Sequence, residues 1–179
     1  MIIEGIVLSI IVGYLRKGRL INFENIEIKA WYLIIASQLL QIIAIRLGNS
    51  ININTTAFYI MHILSYILLL IPLVINHRLL SMNLLSIGTI LNLIPIALNK
   101  GQMPVFLPQG VNASFDMGHI LGTNTTKAYI LSDIIPILKP YPLPKIISVG
   151  DIFILIGIFL LIQHGMLKSR YCDKCFFKG

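Results

Sequence analysis

The sequence predicts an all-α fold: a polytopic membrane helix bundle of about five transmembrane spans, with an outer re-entrant or interfacial segment. Three observations predict it. Of 179 residues, 56% are hydrophobic and only 12% are charged, whereas a soluble domain carries about 25% charged residues. Long stretches contain no charged residue at all, and the basic residues are unevenly distributed between those stretches. This composition excludes a soluble domain, a disordered chain and a nucleic-acid-binding module.

Charge-free apolar runs locate the spans, because a bilayer requires roughly 20 consecutive apolar residues of a helix. We predict one transmembrane domain over residues 1–179, with spans at about 2–15, 30–47, 57–76, 79–99 and 147–167. The first run is short and contains Glu4, but it lacks the basic start and the cleavage site of a signal peptide. We therefore interpret it as a short first span. If it does not span, the amino terminus lies inside instead of outside.

The basic residues predict the orientation, since Lys and Arg accumulate on the cytoplasmic side. With the amino terminus outside, five basic residues lie outside: Arg46, Lys100, Lys127, Lys139 and Lys145. The other nine lie inside: Arg16, Lys17, Arg19, Lys29, Arg78, Lys168, Arg170, Lys174 and Lys178. We expect a multi-pass protein of the bacterial cytoplasmic membrane with a cytoplasmic basic tail, residues 168–179. The lipid bilayer is then its first partner.

Function is expected in residues 99–151, which contain the outer segment, residues 100–146. It holds most of the eight prolines and the short apolar piece Ala128–Leu138, which is too short to cross a bilayer. Non-helical backbone at membrane depth is stable only where protein or a water-filled cavity covers it. A re-entrant or surface-lying element is therefore predicted in this part of the chain.

Two aspartates are the candidate catalytic residues. Asp133 and Asp151 each interrupt an apolar run near the outer boundary, and an ionisable group in such a place indicates a functional site. Two neighbouring carboxyls can share one proton, so that one acts as general base on water while the other polarises a carbonyl. The alternative is helix capping, because Asp151 follows Ser148 and Gly150 at the start of the last span.

Three further residues are assigned to substrate binding: Asn99, Gly101 and His119. Asn99 ends the fourth span, where its amide would hold a substrate backbone or, alternatively, cap the helix, and Gly101 allows a positive φ. His119 follows Asp116 in the outer segment, where the alternatives are a metal site with the two aspartates and a solvated loop. The assignment includes no metal and no cofactor.

Cysteine and histidine supply weaker signals. Cys172 and Cys175 form half a zinc site at best, and a basic tail resting on anionic lipid is the favoured alternative. His62 lies inside a predicted span, where a packed, hydrogen-bonded histidine is favoured over a proton relay. The sequence shows no internal repeat and no Gly-rich phosphate loop.

The order of motifs resembles signal peptidase II, the lipoprotein signal peptidase. An Asn-x-Gly motif begins at Asn99, an Asp follows an apolar stretch, and Gly-Asp-Ile-Phe-Ile-Leu-Ile-Gly opens the final span. In that family an Asn-x-Gly motif precedes two catalytic aspartates. The resemblance implies that Asp133 and Asp151 are the dyad and that Asn99 positions the substrate. The family has four spans, and Met103-Pro104 and Ser148-Val-Gly-Asp151 depart from its motifs.

Taken whole, the chain is more similar to an uncharacterised bacterial membrane family marked by Asn-x-Gly-x-Met-Pro-Val and Ser-x-Gly-Asp, which implies a fold and no activity. Two functions are therefore weighed. One is an intramembrane aspartyl peptidase or related hydrolase acting on a membrane-anchored substrate at the outer face, with residues 105–127 as a flap; a lipoprotein substrate is implied by the resemblance alone. The alternative is a non-catalytic membrane module, either a partner subunit or a small-solute or cation binder.

Overall fold

The computed structural model describes residues 2–51, 54–108, 115–137 and 145–167. These ranges contain five α-helices: α1 (Ile2–Leu15), α2 (Trp31–Ile51), α3 (Thr55–Ile75), α4 (Leu80–Leu98) and α5 (Val149–Leu167), and a 3₁₀ helix, Leu20–Asn25, follows α1. Helices α2 to α5 are long and apolar enough to cross a membrane, whereas α1 has 14 residues. The predicted all-α membrane bundle is confirmed, and the chain is a multi-pass membrane protein. The predicted tail, with Cys172 and Cys175, lies outside the described residues.

Contacts between helices fix their directions. Helices α2 and α3 are antiparallel, and so are α4 and α5, with α3 and α4 joined by a short connection. Helix α1 runs parallel to α5, because Gly5 lies against Leu155 and Gly13 against Met166. We call the end of the bundle where α4 ends and α5 begins the carboxylate end, since Asp133 and Asp151 lie there. The end where α4 begins and α5 ends is the basic end.

The bundle exposes apolar side chains and buries polar ones, as expected of helices that face lipid. Large hydrophobic residues are exposed along every helix, among them Leu8, Ile42, Leu64, Ile90 and Ile156. Buried polar side chains bond between helices. Gln163 of α5, for example, donates to the Ser9 carbonyl at 2.7 Å and accepts from Arg16 Nη1 at 3.0 Å. These bonds hold the short helix α1 against α5.

Helices α4 and α5 approach closely at a pair of glycines. A Cβ atom on Gly88 would lie 2.6 Å from the Gly150 carbonyl oxygen, which is closer than real contacts allow. Gly157 lies about two turns after Gly150 on α5 and faces the Leu85 side chain, where a Cβ would lie 2.8 Å from Cγ. Small residues at a crossing let two helix backbones approach. This approach brings Asn92 of α4 against the first turn of α5.

The outer segment contains short strands, which the sequence analysis does not predict. Strand β1 (Met103–Val105) pairs in parallel with β2 (His119–Leu121), and β3 (Ile135–Ile137) pairs antiparallel with β4 (Lys145–Ile147). Within Ala128–Leu138, a 3₁₀ turn at Tyr129–Leu131 precedes β3. Prolines and β-branched residues disfavour a helix here. Strand pairing satisfies backbone groups that lie near the hydrocarbon.

At the basic end, Asn76 holds the start of α2. It follows α3, and its side-chain Nδ2 donates to the Pro72 carbonyl at 2.7 Å and to the Lys29 carbonyl at 2.8 Å. Its Oδ1 accepts from the Lys29 N–H at 3.0 Å. The next residue, Ala30, has a φ of 57°. The Asn76 side chain therefore holds the backbone of Lys29, just before the left-handed Ala30, through both its amide nitrogen and its amide oxygen.

Candidate functional site

A cavity of about 110 Å³ lies at the carboxylate end, between the helices and the outer segment. All four long helices and the segment containing β1 and β2 contribute to its walls. The residues that line it are Gln41, Ile45, His62, Tyr66, Asn92, Ile96, Met103, Gly118, His119, Asp133 and Asp151. This space is large enough to hold ordered water, which needs only about 10–15 Å³ by the same measure. Both aspartates and His119 therefore share one small polar space.

Asp133 is held by strand pairing. Its N–H donates to the Pro104 carbonyl at 3.0 Å, and its carbonyl accepts from the Phe106 N–H at 2.9 Å. It thereby forms an isolated bridge beside Val105 of β1. A short 3₁₀ helix, Tyr129–Leu131, ends just before it with Ser132 as the C-cap. The backbone of Asp133 is fixed, so its side chain is held at the cavity.

The Asp133 carboxyl is buried. The residue is 6% exposed, and its Oδ1 has no hydrogen-bond partner among the described residues. Burial and, to a smaller extent, the negative charge of Asp151 raise the pKa of Asp133 from 3.8 to about 7, against the opposing effect of His119. A protonated carboxyl at neutral pH can donate a hydrogen bond, which an ionised one cannot.

Asp151 caps α5 and also lines the cavity. The Ser148 hydroxyl accepts from the Asp151 N–H at 3.0 Å, and Asp151 Oδ2 accepts from the Ser148 N–H at 3.1 Å. These reciprocal bonds form a capping box at the start of the helix. The capping alternative therefore describes Asp151 correctly, and it does not remove this carboxylate from the cavity.

Asn92 completes a closed network with this cap. Its Nδ2 donates to Asp151 Oδ1 at 2.9 Å, and its Oδ1 accepts from the Ser148 hydroxyl at 2.7 Å. Both oxygens of Asp151 thus act as acceptors, which is the role of an ionised carboxylate. Asp133 and Asp151 therefore differ in their surroundings: one has an unpartnered buried oxygen, and the other is held by donors on two sides.

His119 lies at the cavity on β2 and is oriented by Asp116. The His119 Nδ1 and Asp116 Oδ1 are 2.7 Å apart, and Asp116 Oδ1 also accepts from the Gly118 N–H at 3.0 Å. Pairing of His119 with Met103 sets its register on the strand. Its Nε2 has no bond to any side chain or backbone group in the described ranges, so it remains available to a ligand.

Asn99 lies outside the set of residues lining the cavity. It repeats the arrangement of Asn76: its Nδ2 donates to the Pro95 carbonyl at 2.7 Å and to the Lys127 carbonyl at 3.0 Å. Its Oδ1 accepts from the Lys127 N–H at 3.2 Å, and the following Ala128 has a φ of 56°. The backbone that its amide holds is this chain's own, at the helix end where the capping alternative placed it.

Gly101 supports His62. It has a φ of 85°, and its carbonyl lies 2.6 Å from His62 Nδ1. The other ring nitrogen of His62 is 3.3 Å from the amide nitrogen of Gln41. An amide nitrogen only donates, so Nε2 accepts and Nδ1 carries the proton toward Gly101. His62 is 2% exposed, which agrees with a packed, hydrogen-bonded histidine in the cavity wall.

Comparison with known proteins places the chain in a family. The model of a family of unknown function, DUF5317, matches residues 25–163. The chain belongs to this family. An uncharacterized protein of Thermotoga maritima is 33% identical over 110 residues, which make up 60% of this chain and 64% of that protein. No solved structure matches the chain.

Membership of DUF5317 confirms the predicted resemblance to an uncharacterised family. It assigns no activity, and the resemblance to signal peptidase II rests on the short motifs alone. Among the described residues of this DUF5317 chain, no group of three or more His, Cys, Asp or Glu is placed to hold a metal ion. The metal-site alternative for His119 therefore finds no support in the described parts of the chain.

Asn92, which connects the two helices at the site of this DUF5317 member, is not among the residues that the sequence predicts. A signal was present, because Asn92 is a polar residue inside the apolar run 79–99 and such residues bond between helices. His62 was noticed, but its place in the cavity wall depends on Gly101, which is 39 residues away. Nothing in local sequence indicates that pairing.

Proposed function

We propose that the cavity at the carboxylate end is a hydrolytic site, in which Asp133 and Asp151 act as an acid–base pair on a membrane-anchored substrate. One observation carries the proposal: two carboxyls from separate segments line one small cavity in unlike surroundings. Environments that push two carboxyls toward different protonation states are typical of acid–base pairs. The raised pKa of Asp133 keeps a proton available near neutral pH.

The proposed reaction is amide hydrolysis by a water held in the cavity. The water oxygen attacks the carbonyl carbon, its proton passes to Asp151, and the Asp133 proton passes to the carbonyl oxygen. When the resulting intermediate collapses, the C–N bond breaks, the amine takes the proton from Asp151, and Asp133 recovers its own. His119 lines the same cavity, and its Nε2 would supply a polar contact to the substrate.

The location suits a substrate that is anchored in lipid. The cavity extends from the carboxylate end of the bundle to Gln41 and Tyr66, near the middle of α2 and α3. Because these helices match the hydrocarbon thickness of about 30 Å, the cavity reaches into the depth of the membrane. A cavity of 110 Å³ accepts the reacting group and its water, and the remainder of the substrate would lie across the mouth. A lipoprotein is the substrate that the motif resemblance suggests.

A second candidate function is the binding of a small cation. The observation that favours it is the size of the cavity, since two carboxyls enclosing about 110 Å³ suit a small positively charged solute. In this case the Asp151 carboxylate, held in place by Asn92 and Ser148, would be a preformed ligand of the cation. Asp133 would release its proton when the cation binds.

The experiment compares membranes from cells producing the wild type, Asp133→Asn, Asp151→Asn, and Glu24→Gln as an acid-to-amide control at the basic end. New amino termini of membrane-anchored proteins are identified by proteomics. Hydrolysis predicts termini that appear with the wild type and the control and are lost, by about 100-fold or more, with either aspartate variant. Termini that persist in both aspartate variants would reject the hydrolase. Cation-dependent thermal stabilisation of the wild type alone would then support the second candidate.

A further inference from the structure

A second cavity lies at the basic end of the bundle. Its volume is about 530 Å³, which is large compared with the roughly 30 Å³ of a single water. The segment before α2, the α3–α4 connection and the last turn of α5 surround it. The residues that line it are Asn25, Ile26, Glu27, Lys29, Ile75, Asn76, His77, Arg78, Leu79 and His164.

The charges around this cavity are mostly positive. Lys29 and Arg78 contribute two full positive charges, His77 and His164 add two imidazoles, and Glu27 is the single acid among the lining residues. In the described ranges, neither the Lys29 ammonium nor the Arg78 guanidinium forms an ion pair or a hydrogen bond, and both side chains are exposed. Both groups are therefore available to an anion.

The cavity is built on fixed backbone. The Asn76 amide clamps the backbone of Lys29 through two hydrogen bonds, so the lysine is held beside the α3–α4 connection. Helix α4 begins after Leu79, which supplies no side-chain cap. Its first N–H groups add a partial positive charge to the basic side chains at the same place.

The position of the cavity indicates the kind of anion. Helix α3 has 21 residues, a length of about 31 Å that matches the hydrocarbon core. Residues directly after it are therefore level with the lipid phosphates. The cavity also presents apolar side chains from Ile26, Ile75 and Leu79 beside the basic ones, and this pairing suits a phosphate that is attached to an apolar body. Basic pockets between membrane helices bind anionic headgroups.

We propose that this cavity binds a phosphate group, that of an anionic phospholipid headgroup, through Lys29 and Arg78. The proposal is independent of the hydrolytic site at the other end. Free phosphate shares the same chemistry, so the experiment separates the two sources.

The purified full chain in detergent is titrated with phosphatidylglycerol, with phosphatidylcholine as the uncharged comparison, and bound lipid is counted by native mass spectrometry. We expect the Lys29→Gln/Arg78→Gln double variant to bind phosphatidylglycerol at least tenfold more weakly than the wild type, given about fivefold per basic group. The charge-preserving pair Lys29→Arg/Arg78→Lys is expected to retain binding within about threefold. The control Arg46→Gln/Lys100→Gln removes the same charge at the other end and is expected to bind as the wild type does.

Two arms identify the source of the phosphate. If excess inorganic phosphate does not displace phosphatidylglycerol, the headgroup of a lipid is the ligand; if it does, the site takes free phosphate. Equal binding by the wild type and the Gln double variant would overturn the proposal, and so would an equal loss in the control pair. Loss in the charge-preserving pair, with unchanged circular dichroism, would overturn it as well.

Discussion

At the scale of single residues, Asp133 combines burial with a negatively charged neighbour. Both effects disfavour the ionised carboxylate, so the folded chain keeps the proton up to about pH 7 while the unfolded chain loses it near 3.8. The folded state therefore binds more protons between these two values, and the free energy of unfolding falls as the pH rises through this window. Above about pH 7 the dependence disappears.

The first prediction concerns Asp133→Asn, which removes this titration. Because a shift of this size corresponds to about 4 kcal/mol, the wild type is expected to lose thermal stability between pH 4 and pH 7. The Asn variant is expected to be flatter over that range and more stable than the wild type at pH 8. Thermal midpoints in detergent across pH 4–8 measure this. If the thermal midpoints of the wild type and Asp133→Asn change in parallel with pH, the pKa of Asp133 is not raised and the prediction is wrong.

The second prediction concerns Asn92. Asn92→Ala leaves Asp151 Oδ1 and the Ser148 hydroxyl without their partner, and an unsatisfied buried polar group costs about 1–3 kcal/mol. We expect a loss of that size in the free energy of unfolding. Asn83→Ala is the matched control, because Asn83 is exposed on the same helix and its change is expected to be within about 0.5 kcal/mol. If Asn92→Ala and Asn83→Ala lower the free energy of unfolding equally, the hydrogen bonds of Asn92 to Asp151 and Ser148 do not stabilise the fold.

At the scale of elements, the α4–α5 crossing positions the site. The third prediction is that Gly150→Ala separates these helices, because its Cβ would meet both Asn92 and the Gly88 carbonyl. A loss of about 1–3 kcal/mol is expected from overpacking of this kind, together with loss of any activity. Gly5→Ala is the control, since its Cβ meets only the flexible Leu155 side chain. A thermal midpoint that is lower in Gly150→Ala but not in Gly5→Ala would confirm the prediction. An unchanged midpoint in Gly150→Ala would contradict a close approach of α4 and α5 at this glycine.

The helices were predictable from sequence, whereas the elements between them were not. The apolar run 79–99 corresponds closely to α4 at Leu80–Leu98, because the requirement to satisfy backbone groups in lipid makes an apolar run helical. Three-residue strands carry no such signal. Pairing of Met103 with His119 is a long-range event that local residue preferences do not encode.

The two asparagine clamps show a repeat that the sequence analysis missed. Residues 67–76 and 90–99 share the pattern Ile-Leu-x-Leu-Ile-Pro-x-x-x-Asn, and each Asn holds a Lys-Ala pair. The pattern is short and mostly apolar, so the sequence alone does not distinguish it from that of other membrane helices. The hydrogen bonds of the two asparagines show the shared role. The clamps at Asn76 and Asn99 lie at opposite ends of the bundle and fasten the irregular connections there.

The candidate site was predictable in part. An acidic residue in an apolar run is a strong signal, and it identified Asp133 and Asp151. Whether they line the same cavity depends on the β1 pairing that holds Asp133 and on the glycine crossing that positions Asp151, and both are tertiary features. Capping and a role at the cavity were treated as alternatives for Asp151, although a carboxylate with two oxygens can serve both.

At the scale of the whole molecule, the two ends of the bundle carry opposite chemistry. The carboxylate end has two aspartates at a small cavity, and the basic end has Lys29 and Arg78 at a large one. The positive-inside tendency predicts that the basic end faces the cytoplasm. The carboxylate end would then face outward, where an anchored substrate is reached.

The fourth prediction tests this orientation with single cysteines in a Cys172→Ser/Cys175→Ser background. Asn124→Cys reports the carboxylate end and Glu27→Cys the basic end, and both side chains are exposed. A membrane-impermeant maleimide is expected to label Asn124→Cys in intact cells and Glu27→Cys only after permeabilisation. The reverse pattern would place the carboxylate end in the cytoplasm.

The central claim is that Asp133 and Asp151 share one electrostatic site, and infrared titration of the protonated carboxyl tests it most directly. The account predicts a carboxylic acid band that titrates near pH 7, is absent from Asp133→Asn, and titrates at lower pH in Asp151→Asn, because the neighbouring negative charge is gone. A band in the wild type that titrates near pH 4, or one that Asp151→Asn leaves unmoved, would contradict the account.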